Sequence, residues 1–359
     1  MSRNIHLVLA QIASRQDLSK LRLTLACWDY DRTRPLMDGV VKPEGIDLNY
    51  IPMWVEETFY RMLNNKEFDA SEMSLSAYTS LVSRGVDTFT AIPVFPSRTF
   101  RHRSIYVSKK SGIREPKELA GKKVGVQRYR QTAGVWIRGI LEEYYNLPVE
   151  SVTYIAGGLE LPERESRFWG LSDRGEKIFN PNIKLVDIGN AGNLSAMLER
   201  GEIDALYSAR MPSSFVKGEG VERLFPNYEE EEKQYFRKSG IFPIMHTIVI
   251  RRDVYQSNRW VALSLLKAFQ RSKEVAYREN YQTGALRYML PWMNREIEEA
   301  TALMGEDYWP YGFEENKKLL KTFLDYSYSQ GLLERKVEPK ELFAEETLEP
   351  FKKDAHSPM

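Results

Sequence analysis

The sequence holds a single cysteine, Cys27, so no disulfide can form within the chain. This fits a reducing compartment and removes the disulfide-stapled secreted folds. Charge of one sign is not in excess either. Lys plus Arg number 51 against 50 for Asp plus Glu, a formal charge of +1. Nucleic acid and anionic membrane surfaces both call for a basic surplus, so neither is an expected partner. No apolar run approaches the ~20 residues that span a bilayer. The stretch 5–13 is apolar, but His6 and Gln11 interrupt it and one arginine is a thin basic start. A secretory signal asks for more on both counts. Residues 1–20 are therefore expected to form a disordered leader, and the protein is expected in the cytoplasm. Also missing are a phosphate-binding glycine loop, the paired cysteines of metal sites and a GxSxG nucleophile elbow.

What is present points to an α/β protein of two lobes closing on a small anionic ligand. With 359 residues the chain exceeds the ~100–200 of one usual domain. Leu21, Leu23, Leu25 and Cys27 alternate with Arg22, Thr24 and Ala26, which is strand periodicity. Further strands are expected at 48–51, 70–73, 105–107, 124–126 and 241–250. Helices are expected at 55–65, 77–84, 131–145, 260–277 and 314–330, and a polar surface excursion at 161–181. Strands alternating with helices indicate a mainly parallel sheet with crossovers. Residues 62–70, MLNNKEFDA, match 197–205, MLERGEIDA, at a constant offset. Each copy reads as a helix end, a tight turn closed by the aspartate and a buried strand, so the two lobes are expected to be built alike. Lobe one is placed at 21–107 and 245–359, and lobe two at 108–244.

Polar residues gather where strands meet helices. Such junctions carry free backbone N–H groups that attract anions, and ligands of open α/β sheets collect there. Three junctions qualify: Glu72, Ser74 and Ser76; Arg128, Arg130 and Thr132; Tyr207 and Arg210. The densest polar stretch is 95–103, with Arg98, Arg101, His102 and Arg103, flanked by Phe95 and Phe100. Arginine's planar fork suits carboxylates. Of four histidines, His6 and His356 lie near the termini. His102 and His246 remain as proton carriers, and histidine is the usual proton-transfer group near neutral pH. Two histidines with Glu72 could ligate a metal, but their spacing follows no ligand pattern, and no metal is expected.

Several strings together resemble the 4,5-dihydroxyphthalate decarboxylase family: ACWDYDRTRPLMDG (26–39), VEETFYRML (55–63), EMSLSAY (72–78), IPVFPSRTFRH (92–102), QTAGVWIRGIL (131–141), GEIDALYSARMPSSF (201–215) and FPIMHT (242–247). The resemblance runs from about Leu21 to the C-terminal helices; residues 1–20 have no counterpart. It implies the type II periplasmic-binding-protein-like fold, with a ligand cleft between lobes. It also implies nonoxidative decarboxylation of a hydroxylated aromatic dicarboxylate, giving protocatechuate and carbon dioxide, with no organic cofactor. The expected partner is a small aromatic carboxylate substrate, while self-association into a homo-oligomer stays open.

That chemistry needs cations for two carboxylates, a group to hold the catechol and an acid over the ring. Arg98, Arg101, Arg128, Arg130 and Arg210 are the candidate anchors, with Arg98, Arg101 and Arg210 preferred. Ser74, Ser76 and Thr132 are further substrate contacts, and Glu72 or Tyr207 would hold the catechol. His102 is favoured as general acid, with His246 as its partner. The alternative is a transporter's substrate-binding protein, which would hold an aromatic or small carboxylate in the same cleft without turnover.

Overall fold

The computed structural model describes residues 20–161, 178–218 and 220–349. The expected leader, apart from Lys20, and most of the expected surface excursion lie outside the described residues. Eleven strands form two sheets among the described residues. The first sheet contains β1 (Leu21–Cys27), β2 (Ile46–Pro52), β3 (Ala70–Ser74), β4 (Phe89–Arg98) and β11 (Ile244–Arg251), in the order β2-β1-β3-β11-β4. The second contains β5 (Ile105–Ser108), β6 (Lys123–Val126), β7 (Thr153–Ala156), β8 (Lys184–Asp187), β9 (Ala205–Tyr207) and β10 (Val221–Arg223), in the order β10-β5-β9-β6-β7-β8. β1, β2 and β3 run parallel, and β11 enters antiparallel between β3 and β4. β5 pairs with β9 and β10, so the chain crosses to the second sheet between Arg98 and Ile105, upstream of the boundary expected at 107.

The helices that frame the sheets are α1 (Val55–Asn65), α2 (Leu75–Ser83), α3 (Thr132–Tyr145), α4 (Leu194–Arg200), α5 (Tyr228–Ser239), α6 (Trp260–Asn280), α7 (Met293–Met304) and α8 (Lys317–Ser329). Among the described residues none is long and apolar enough to cross a membrane.

The repeat has a concrete physical basis. Lys66 and Gly201 occupy equivalent positions after α1 and α4, and both take the left-handed conformation that ends a helix, with φ of 53° and 75°. Asp69 and Asp204 follow. Each carboxylate accepts a backbone N–H from the parallel neighbouring strand, Thr24 at 2.9 Å and Lys123 at 2.8 Å. The aspartates thus tie strand to strand instead of closing their own turns. The two copies lead into β3 and β9, in different sheets.

β4 takes in the first part of the polar stretch 95–103. Residues up to Arg98 belong to a strand buried along nearly its whole length. Pro93 and Pro96 argue against a strand in the middle of a sheet, but β4 is an edge strand, where a missing N–H is tolerated. That edge is covered by the C-terminal segment. Gly312 donates its N–H to Pro93 O and Ala344 to Ala91 O.

α8 packs on α3. Trp136 meets Phe323 and Tyr326 with ring centroids 5.3 and 5.8 Å apart. Gly139 allows the approach, since a Cβ there would lie 2.1 Å from the Tyr326 ring. Trp136 also donates its indole N–H to Ile244 O of β11 at 2.8 Å. The buried apolar side chains of both sheets consequently form one continuous cluster, with a small satellite around Leu194, Leu198 and Leu206.

Candidate active site

β3 and β11 set Ser74 opposite His246 and Glu72 opposite Ile248. Glu72 is fully buried. Its Oε1 lies 2.6 Å from His246 Nδ1 and accepts the Tyr30 hydroxyl at 2.7 Å. Its Oε2 accepts the Trp28 N–H at 3.1 Å and the Cys27 thiol at 3.5 Å. Burial works to raise the Glu72 carboxyl. The charge and hydrogen bond of His246, then the Tyr30 and Trp28 bonds, outweigh it and hold the group below the usual carboxylate range. An ionised carboxylate only accepts, so Nδ1 carries the proton it donates to Glu72. Nε2 has no hydrogen-bond partner among the described residues, and the imidazole keeps 16% of its surface exposed. Phe59 of α1 meets the ring edge-on at 4.8 Å. The arrangement is a carboxylate-oriented imidazole with one nitrogen open for proton transfer. Burial, then the same carboxylate, pushes the Tyr30 phenol up and keeps it protonated.

Elements of the other sheet meet the end of β3 that carries this dyad. Ser74 caps α2, and its hydroxyl lies 3.0 Å from that of Thr132, the first residue of α3. The Ser76 N–H donates to the same Thr132 oxygen at 3.1 Å. Arg128 and Arg130, half-buried, precede α3. Arg210, just beyond β9, ion-pairs with Glu56 of α1 and lies 5.8 Å from the Trp54 ring centroid. Trp54 in turn meets Trp28 edge-on at 4.8 Å. Glu72, His246, Ser74, Thr132 and Arg210 thus share the junction of the two sheets.

Other sequence candidates do not. Arg98 is buried, and its guanidinium donates to Phe242 O at 2.9 Å, to Pro310 O at 2.7 Å and to Asn316 Oδ1. It braces the edge of the first sheet and is not placed to hold a ligand. Burial pulls it down to about 9, which leaves it charged at neutral pH. Arg101 is buried too, with Nε and Nη2 at 3.2 and 2.7 Å from Met245 Sδ. Tyr207, at the position of β9 equivalent to Glu72 of β3, is a buried core ring. The described residues gather no three His, Cys, Asp or Glu side chains able to hold a metal.

His102 requires the largest correction. It is 1% exposed and walled by Phe225, Tyr235 and Tyr145, at centroid distances of 5.3, 5.4 and 6.0 Å. Neither ring nitrogen has a partner among the described residues. Burial lowers its pKa to about 4, so it stays neutral and is no general acid near pH 7. An unfolded histidine takes up its proton near ~6.5. The unfolded chain therefore binds more protons in the window from there down to about 4, and stability falls as pH is lowered through it. The full loss is about 3 kcal/mol. His102→Phe is expected to remove most of this acid sensitivity. Denaturant midpoints at pH 7 and pH 5 check it, and equal losses in both proteins would assign the sensitivity elsewhere.

Sequence reasoning missed Tyr30 and Arg32. Arg32 stacks between Tyr30 and Trp309, 4.1 Å from each ring, and donates to Pro96 O at 2.6 Å and Asp31 at 2.9 Å. Their signal is the polar string DYDRTR just after β1, a strand end like the three junctions named above.

No protein-family profile matches the chain. A 4,5-dihydroxyphthalate decarboxylase from Comamonas testosteroni is 37% identical over 336 residues, 93% of this chain and 100% of that protein. One from Pseudomonas putida is 39% identical over 204 residues, 56% of this chain and 75% of that protein. Among solved structures, a periplasmic sulfonate-binding protein SsuA from Methylobacillus flagellatus superposes with a TM-score of 0.53 at 13% identity, covering 90% of this chain and 92% of its own. The aliphatic sulphonate binding protein SsuA from Escherichia coli gives 0.51 at 13% identity, covering 94% and 97%. These two likenesses show the periplasmic-binding-protein fold.

Proposed function

The chain belongs to the 4,5-dihydroxyphthalate decarboxylase family, and from that premise we propose that it is a carboxy-lyase converting 4,5-dihydroxyphthalate to protocatechuate and carbon dioxide. The buried Glu72–His246 pair carries this reading at the level of the site. A ring hydroxyl para to the departing carboxylate gives up its proton. Its electrons move through the ring to the carbon bearing that carboxylate. His246, protonated and steadied by Glu72, delivers the Nε2 proton to this carbon. The C–C bond then breaks, carbon dioxide leaves, and the electron pair restores the aromatic ring and the phenolate, which is reprotonated. The net change is one proton in and one carbon dioxide out. A transport receptor would have no use for an oriented proton donor. With a single free cysteine, the reaction is assigned to the cytoplasm.

Arg210 is the anchor best suited to a carboxylate, because its side chain is 44% exposed and its ion-pair partner among the described residues, Glu56, is exchangeable. A hydrogen bond to a charged group contributes ~1.5–3 kcal/mol, so Arg210→Ala should raise KM about 10- to 100-fold with kcat little changed. Initial rates over a range of substrate concentrations check this, and an unaltered KM removes Arg210 from the binding set.

The reading itself is tested by incubating the purified protein with hydroxylated phthalates and benzoates and recording carbon dioxide and 3,4-dihydroxybenzoate. Binding of 4,5-dihydroxyphthalate without carbon dioxide release would return the protein to the receptor class.

A further inference from the structure

The second sheet's side of the molecule carries a pocket of about 430 Å³ that shares no residue with the site above. A volume of that size lies within the ~300–1,000 Å³ of small-molecule sites. Its lining comes from three places: Arg114 and Lys117 ahead of β6, Tyr145 at the end of α3, and Phe225, Asn227 and Glu231 between β10 and the first turn of α5. We propose that this pocket binds an aromatic monocarboxylate bearing ring hydroxyls, the class that includes the product of the decarboxylation.

The chemistry of the lining selects that class. Tyr145 and Phe225 offer two rings at 5.2 Å, tilted by 56°, against which a flat ring can pack. The Arg114 guanidinium has no hydrogen bond or ion pair among the described residues. Lys117 is 2.7 Å from Glu115, but both side chains are mostly exposed, so that pair is weak and open to exchange. A carboxylate therefore finds two cations. Glu231 also lines the pocket and does not pair with Arg114. It accepts the Tyr145 hydroxyl at 3.0 Å and keeps further acceptor capacity. Burial, then Glu231 itself, pushes the Tyr145 phenol up, so Tyr145 remains the donor in that bond. Glu231 would accept from a catechol, whereas a second carboxylate on the ligand would meet its negative charge. The lining thus favours a hydroxybenzoate over a phthalate.

The ligand class follows from the pocket alone, and its identification with the product rests on the reaction proposed above. Such a site would let accumulated product act away from the dyad. The test is calorimetry of the full chain with 3,4-dihydroxybenzoate, alongside inhibition kinetics. Wild type should show two binding sites per chain and a noncompetitive component of inhibition. Arg114→Ala should show one site and competitive inhibition alone, with kcat and KM unchanged when no product is added. Arg114 is exposed, so this variant keeps the fold. Glu231→Gln should strengthen phthalate binding at the pocket at least 10-fold. A single site in wild type, two sites retained in Arg114→Ala, or phthalate binding as tightly as 3,4-dihydroxybenzoate to wild type would each overturn the proposal. An Arg114-dependent site in a protein that releases no carbon dioxide would sink the assigned reaction and leave the pocket standing.

Discussion

Replacing His246 with glutamine is expected to lower kcat by ~10²–10⁴-fold, the usual contribution of a positioned proton-transfer group. Affinity for the substrate should change little, because the imidazole is assigned to the proton and not to the carboxylates. Glutamine keeps a polar side chain of similar reach, so the first sheet should remain intact. Glu72→Gln tests the same pair from the other side. The amide can still accept the Nδ1 proton but no longer supplies the charge that steadies the imidazolium. Turnover should fall again. Turnover and ligand affinity measured separately on both variants decide the matter. If His246→Gln keeps near-normal turnover, the ring carbon receives its proton from another group, and Tyr30, already bonded to Glu72, becomes the first to examine.

Trp136→Ala is expected to cost about 3–5 kcal/mol of stability, the range for deleting a fully buried aromatic side chain. Trp136 is 0% exposed. It fills the contact between α3 and α8 and binds the Ile244 carbonyl, so its removal opens a cavity and leaves a buried acceptor unpaired. Trp292, 69% exposed, is the matched control. Trp292→Ala should stay within about 0.5 kcal/mol of wild type. Urea unfolding followed by circular dichroism separates the two. Coincident midpoints would mean that α8 contributes nothing to the join between the sheets.

Period and turn chemistry made much of the architecture legible. The helix over 55–65 and the strand beginning at Ala70 are readable because their apolar residues repeat with the period of the element and Lys66 and Asp69 punctuate the join. Glu72 and His246 were readable as polar groups in apolar strands. β4 was not, because its two prolines carry a warning that applies in the middle of a sheet and not at its edge. His102 was misjudged from its neighbours in sequence, two arginines. Its neighbours in space are three aromatic rings from β10's exit, α3 and α5, which no local reading supplies. Arg98 shows the same limit. Three arginines in one stretch announce positive charge, but not that carbonyls at Phe242 and Pro310 wait for one of them.

The central place of β11 has a consequence for how the protein is made. As the chain leaves the ribosome, β1 to β4 emerge first, yet β3 and β4 do not touch one another in the finished sheet. Each presents an open edge until Ile244–Arg251 arrives, after the whole second sheet has been synthesised. Unpaired edges of apolar strands invite pairing with other chains. The described strands of the second sheet are all synthesised by Arg223, whereas the first sheet lacks its fourth-placed strand until Ile244–Arg251 follows. Such pairing between distant segments makes folding slow. The first sheet therefore closes only once Ile244–Arg251 has been made, and until then β3 and β4 keep edges open to other chains.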